Sequence, residues 1–157
     1  MEKIVPFLWF NDKAEEAARF YCSVFRDAKI VETRHYGDAG PRAKGSVLSV
    51  TFELFGREFV ALNGGPHYTF TPAISFFVSC ETQEEVDACW NKLLDGGKPL
   101  QCGWITDKFG VTWQIVPKLL GEMLHDENAE RSARVMRAMF KMVKLDIAGL
   151  ERAYEES

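Results

Sequence analysis

Residues 4–10 form a short apolar run rich in strand formers, and Asn11-Asp12 behind it supplies polar side chains suited to capping a helix. From 13 to 25 the apolar positions Ala14, Ala17, Ala18, Tyr21, Cys22, Val24 and Phe25 recur every three or four residues, while Glu15, Glu16 and Arg19 take the other face. That period predicts an amphipathic helix lying on a sheet. Residues 29–36 alternate weakly as a strand, and Gly37-Asp38-Ala39-Gly40-Pro41 has the composition of a loop. Residues 47–54 and 57–62 flank Phe55-Gly56 as a hairpin. The first half therefore reads β-α-β-β-β.

The second half runs in the same order. Residues 73–79 predict a strand, and 82–94 a helix with Thr82 and Glu85 in capping-box relation and Gly96-Gly97 behind it. Strands follow at 100–106 and 111–116, joined through Asp107-Lys108-Phe109-Gly110, and Pro117 ends the last. An offset of 69 lays Glu15-Glu16 on Glu84-Glu85, Tyr21 on Trp90 and Phe25 on Leu94, and the same offset superposes the leading strands. An offset of 54 lays Phe55-Gly56 on Phe109-Gly110. After Pro117 the strand signals stop. Residues 129–143 place Ala133, Met136, Phe140 and Val143 on one helical face, Asp146 caps a further helical segment, and the stripe of Met136, Met139 and Met142 reads as core or dimer contact before it reads as thioethers lining a ligand entrance. The expected organisation is paired modules over 1–117, about 1–66 and 67–117, with 118–157 as a helical extension of the same domain.

Composition narrows the classes of function. With 46% hydrophobic and 27% charged residues the chain is globular rather than disordered. The 23 acidic and 19 basic side chains are mixed along the sequence, so no basic stripe tracks a phosphate backbone and nucleic acid is not an expected partner. No apolar stretch approaches a membrane span, and charges at Glu2, Lys3, Asp12 and Lys13 make the start unlike a signal peptide. The expectation is a cytoplasmic protein without a membrane partner. Cys22, Cys80, Cys89 and Cys102 include no C-x-x-C pair and read as reduced core thiols.

Candidate chemistry is sparse. His35, His67 and His125 are not at metal-ligand spacing. His67 follows the Gly-rich turn Asn63-Gly64-Gly65-Pro66, where an imbued role at a ligand competes with that of a surface loop residue, and Gly64-Gly65 lacks the spacing of a phosphate loop. Cys102 has no basic neighbour in sequence to activate its thiol, which favours burial over nucleophilic catalysis. Trp113 and Gln114 must point to opposite faces of the last strand.

The segments VPFLWFNDKAEEAARFYCSVF, LNGGPHYTF, QEEVDACWNKLLDGG and above all CGWITDKFGVTWQIVP resemble the PhnB-like family, often labelled 3-demethylubiquinone-9 3-methyltransferase. That family belongs to the vicinal oxygen chelate superfamily of glyoxalase, bleomycin-resistance and extradiol dioxygenase proteins. The resemblance covers about residues 4–145. It implies an α+β fold in which duplicated β-α-β-β-β modules form a curled mixed sheet around a cleft, usually completed in a homodimer. The superfamily's metal-ligand positions correspond here to Pro6, Val60, Ser75 and Gln114, which do not make a catalytic metal set. The Gly-rich loop and parallel-sheet rhythm of an S-adenosylmethionine site are also missing from the sequence. The expectation is a cleft without metal or cofactor that binds a small apolar or aromatic molecule. Gln114 and Ser75 would supply polar contacts, and Phe77, Trp104 and Phe10 the walls. The alternative is a superfamily enzyme using His67, Cys102 or Glu58 as acid, base or nucleophile, and a third reading is an interaction protein whose cleft is filled by side chains.

Overall fold

The computed structural model describes residues 2–156. Its contacts divide the chain into two compact units, one ending at Thr69 and the other beginning at Phe70. The first contains β1 (Phe7–Phe10), α1 (Ala14–Val24), β2 (Ala28–His35), β3 (Val47–Leu54) and β4 (Arg57–Asn63), with sheet order β1-β4-β3-β2. β1 runs parallel to β4 and the other pairs are antiparallel. The small residues Ala14, Ala17 and Ala18 are fully buried, which lets α1 lie close on the sheet. Tyr21 stacks on Phe52 at 6.0 Å and Phe52 on Phe59 at 5.4 Å. Neither Asn11 nor Asp12 caps α1. Its N-cap is Lys13, which makes no capping hydrogen bond, and the Ala14 N–H donates instead to Asn63 Oδ1 at 2.8 Å. A long-range contact thus does the work expected of a local one.

Alternation along β4 sends Phe59, Ala61 and Asn63 toward α1 and leaves Leu62 and Val60, the latter only 3% exposed, on the opposite, open face. The register Phe7↔Val60 and Phe10↔Asn63 then sets Phe7 and Trp9 on that open face and Leu8 and Phe10 under the helix.

The second unit repeats the plan with β5 (Phe76–Cys80), α2 (Gln83–Leu94), β6 (Lys98–Pro99), β7 (Trp104–Thr106) and β8 (Thr112–Pro117), in sheet order β5-β8-β7-β6. β5 is parallel to β8, as β1 is to β4. The expected α+β duplication is therefore present, strand for strand. The helices superpose at the offset of 69, burying Tyr21 in one and Trp90 in the other. The leading strands do not. Three residues link β1 to α1 and only two link β5 to α2, so the strands correspond at 70. Since side chains alternate with period two, a slip of one residue exchanges the faces. Phe7 then matches Phe77, each 61% exposed. The expected matching of Pro6 with Ser75 fails for this reason.

Three helices follow: α3 (Lys118–Leu124), α4 (Ala129–Phe140) and α5 (Ile147–Glu155). They enclose a core of Val116, Leu120, Met123, Val135, Leu145 and Leu150. Asn128 caps α4 through the Glu130 and Arg131 N–H groups, and Asp146 caps α5 as its position suggested. Arg134 donates to the Ala153 and Tyr154 carbonyls at 2.9 and 3.0 Å, satisfying the open end of α5. The tail is clasped to α2 by Gln83, whose amide donates to Asp87 and to the Leu145 carbonyl and accepts from the Ile147 N–H at 2.7 Å. Lys144 pairs with Asp87 at 2.8 Å. Main-chain bonds from Cys102 to Met142 (2.9 Å) and from Gly103 to Val143 (2.7 Å) fix the segment before α5 beside β7. Gly103 has φ +85°, and a Cβ there would lie 2.8 Å from Leu145 and 2.9 Å from the Ile115 carbonyl, so this approach requires glycine. No helix among the described residues is long and apolar enough to cross a membrane.

Two tail contacts carry a pH dependence. The Tyr154 hydroxyl, then the Asn128 N–H, hold the Asp126 carboxyl below its ordinary range, and Lys144, then Gln83, do the same for Asp87. A carboxyl depressed in the folded state contributes stability above its unfolded pKa of about 4 and loses it as pH falls through the folded value. Acidification below about pH 4 is therefore expected to weaken the contacts that hold α5. Amide exchange measured across that range should show protection falling over Ile147–Glu155, and protection there that is unchanged with pH would contradict this.

Candidate functional site

The open face of the second sheet carries the site. Trp113 and Ile115 of β8 are 2% and 0% exposed on the helix side, so Gln114 and Val116 face the other way. The registers Phe77↔Gln114 and Trp104↔Gln114 set a Phe, a Gln and a Trp abreast across three strands. Gln114 Nε2 donates to Ser75 Oγ at 2.9 Å, which orients the amide. Ser75 lies just before β5 rather than within it, since the strand begins at Phe76 and not at the expected residue 73.

The β7–β8 connection is set by a buried carboxylate. Asp107 Oδ1 accepts from the Phe109 and Val111 N–H groups at 2.8 and 3.1 Å, and Oδ2 accepts from Trp113 Nε1 at 2.9 Å. The resulting turn holds five residues between the paired Thr106 and Thr112, against two in the β3–β4 hairpin. The tail closes one side of this face with Leu120, Leu124, Met139 and Phe140, forming a groove of about 780 Å³ whose floor includes Phe77, Ser79, Trp104 and Gln114. That volume suits a small organic molecule. Leu100, Gln101, Cys102, Lys118 and His125 complete the rim, and no carboxylate lines it.

The structure thus brings Gln114, Phe77, Trp104 and Cys102 together in the groove, whereas Ser75 is hydrogen-bonded to Gln114 without lining it. Cys102 is half-buried and has φ +58°, a left-handed conformation unusual for a non-glycine residue. The other sequence candidates lie elsewhere. Phe10, expected as a wall, is 4% exposed and packs on the helix side of β1, because its strand corresponds at offset 70. His67 is exposed on the turn of the first unit, which Trp9 braces by donating to the Gly65 carbonyl at 2.9 Å. Glu58 is half-buried on the first sheet opposite Glu53, and its Oε1 is buried without a hydrogen-bond partner. Val60 is 3% exposed and hydrogen-bonds through its N–H to the Pro6 carbonyl. Ser79, Leu120, Leu124 and Phe140 are not singled out as groove residues by the sequence, and Met139 lines the groove where core or dimer contact is the favoured reading of its stripe. Alternation from Phe77 identifies Ser79, whereas nothing local shows that Leu120 or Met139 borders a sheet face.

A metal or cofactor can be tested against these donors. Among the described residues no three His, Cys, Asp or Glu side chains gather to hold a metal ion. Gln114 and Ser75 offer an amide and a hydroxyl already bonded to each other, a poor donor set for a divalent ion. S-adenosylmethionine carries a sulfonium cation and ribose hydroxyls that call for acidic acceptors, and a groove without a carboxylate does not fit it. All four cysteines are free. Cys80 is fully buried, and its hydrogen bond to Cys89, then burial, push its thiol up.

The family model described as 3-demethylubiquinone-9 3-methyltransferase matches residues 2–116. The PhnB protein from Bacillus cereus is 41% identical, with 74% of this chain and 99% of that chain covered at a TM-score of 0.68. Protein PA1353 from Pseudomonas aeruginosa is 21% identical over 74% and 98%, at a TM-score of 0.63, a likeness of fold. No curated protein matches the chain. The family match ends at Val116, so it covers the floor of the groove and stops before the tail that walls it.

Proposed function

The chain belongs to the PhnB-like family described as 3-demethylubiquinone-9 3-methyltransferase, and from that premise we propose that it binds a small apolar or aromatic organic molecule without a metal or cofactor. The observation that carries this reading is the groove over β5, β8 and β7. It combines Phe77, Trp104 and Leu100 with a single oriented amide, Gln114, the combination of apolar surface and few polar groups found in ligand sites. Methyl transfer is not part of the reading, because the groove chemistry does not suit the methyl donor. A homodimer is part of it: Phe7 and Phe55 remain 61% and 52% exposed, apolar surface that a second copy would cover. Four free thiols suit a reducing cytoplasm.

The test is titration with the neutral apolar dye N-phenyl-1-naphthylamine. Saturable binding of one dye per chain is expected, with energy transfer from tryptophan that weakens when Trp104 is replaced by Phe. Transfer unchanged in Trp104→Phe would place the dye elsewhere. One observation favours a second reading, in which the groove is catalytic: Cys102 presents a thiol at the rim from a strained backbone, and such strain clusters at functional sites. Under that reading Cys102→Ser abolishes turnover while dye binding persists.

A further inference from the structure

The charge of the groove narrows its ligand. Among its lining residues the basic side chains are Lys118, at the start of α3, and His125, at the C-cap of the same helix. No Asp or Glu takes part, in a chain with 23 acidic and 19 basic residues. A lining that holds a lysine and no carboxylate favours negative over positive charge in its occupant. Lys118 is also available. Its partner is Glu81 at 3.9 Å, with both side chains well exposed, a contact worth little in water. His125 is held in place at the rim by its Nδ1–H, which donates to the Gly121 carbonyl at 2.7 Å.

We infer that the ligand is an apolar organic acid, its hydrocarbon or aromatic body on Phe77, Trp104 and Val116 and its anionic group at Lys118. This rests on the reading of the groove as a small-molecule site and adds the charge of the occupant. Both basic groups flank or begin α3, beyond the residues matched by the family model, so the preference is a property of the appended tail and not of the paired modules. The volume of the groove suits a free monomeric acid, and the Gln114 amide on the floor can accept or donate to a second polar substituent.

Displacement of N-phenyl-1-naphthylamine by 1-naphthoate and by its methyl ester tests this, because the two competitors share the ring system and differ in charge. The acid is expected to compete about two- to fivefold better than the ester, the scale of an ion pair to an exposed lysine. The ratio of the two affinities should fall toward one in Lys118→Gln and shrink in high salt, which screens an exposed charge. A ratio of one in the wild-type protein, or a preference for the acid that survives in Lys118→Gln, overturns the inference and leaves the groove reading standing. Failure of the dye to bind at all overturns both.

Discussion

Asp107→Ala is expected to lower the melting temperature by about 10 °C, through a loss of about 3–4 kcal/mol. The side chain is 4% exposed and accepts from Phe109 N–H, Val111 N–H and Trp113 Nε1. Removing it leaves buried donors unpaired and opens the five-residue turn that sets the β7–β8 register. The register in turn places Trp104 beside Gln114. Asp107→Asn should cost about half as much, since its carbonyl oxygen can keep the main-chain donors while its amide meets the indole N–H, or the reverse. Thermal melts of the two variants check the order. An alanine variant as stable as wild type would show that the turn is held by packing alone.

Much of the fold was legible because its elements carry complete periodic signals. α1 and α2 expose their buried faces in sequence, and Val47–Leu54 alternates from end to end, matching β3 at both limits. Thr82 accepts from the Glu85 N–H at 3.1 Å as the capping box implies, although the Glu85 carboxylate reaches back to the Glu81 N–H and not to that of Thr82. What failed were quantities fixed by single residues. One residue fewer between β5 and α2 moved the strand correspondence from 69 to 70. A strand offset wrong by one looks almost as good in sequence as the right one, yet it exchanges faces, and Phe10 was assigned to a wall when Phe7 and Trp9 occupy the open face. The missing cap at Lys13 has a similar cause, since its replacement, Asn63, stands 49 positions away from Ala14.

Ser79→Trp is expected to weaken dye binding tenfold or more while leaving the melting temperature within about 2 °C. Ser79 alternates with Phe77 on the open face of β5, pairs with Val116 and is exposed in the floor of the groove. A tryptophan there occupies part of the volume that a ligand needs. Because the position is exposed and extended, a large aromatic is compatible with the strand and displaces no buried neighbour. Binding is thus separated from stability, which substitution of Gln114 or Trp104 does less cleanly.

The site was half legible. Gln114, Ser75, Phe77 and Trp104 were singled out from strand alternation and from a family resemblance, and they stand together in the structure. The other wall was not, because α3 and α4 reach it only by packing their own core on Val116. A methionine stripe at helical spacing says that a helix has an apolar face, and it does not say what that face borders: Met139 lines the groove and also packs on the tail core, while Met136 stays 41% exposed.

The central claim is that this groove is a ligand site, and side-by-side titration of wild-type protein and Ser79→Trp with N-phenyl-1-naphthylamine tests it most directly. One saturable site per chain in the wild type, and at least about tenfold weaker binding in an equally stable variant, is the expected result. Equal affinities in the two proteins, or no saturable binding to the wild type, would contradict it.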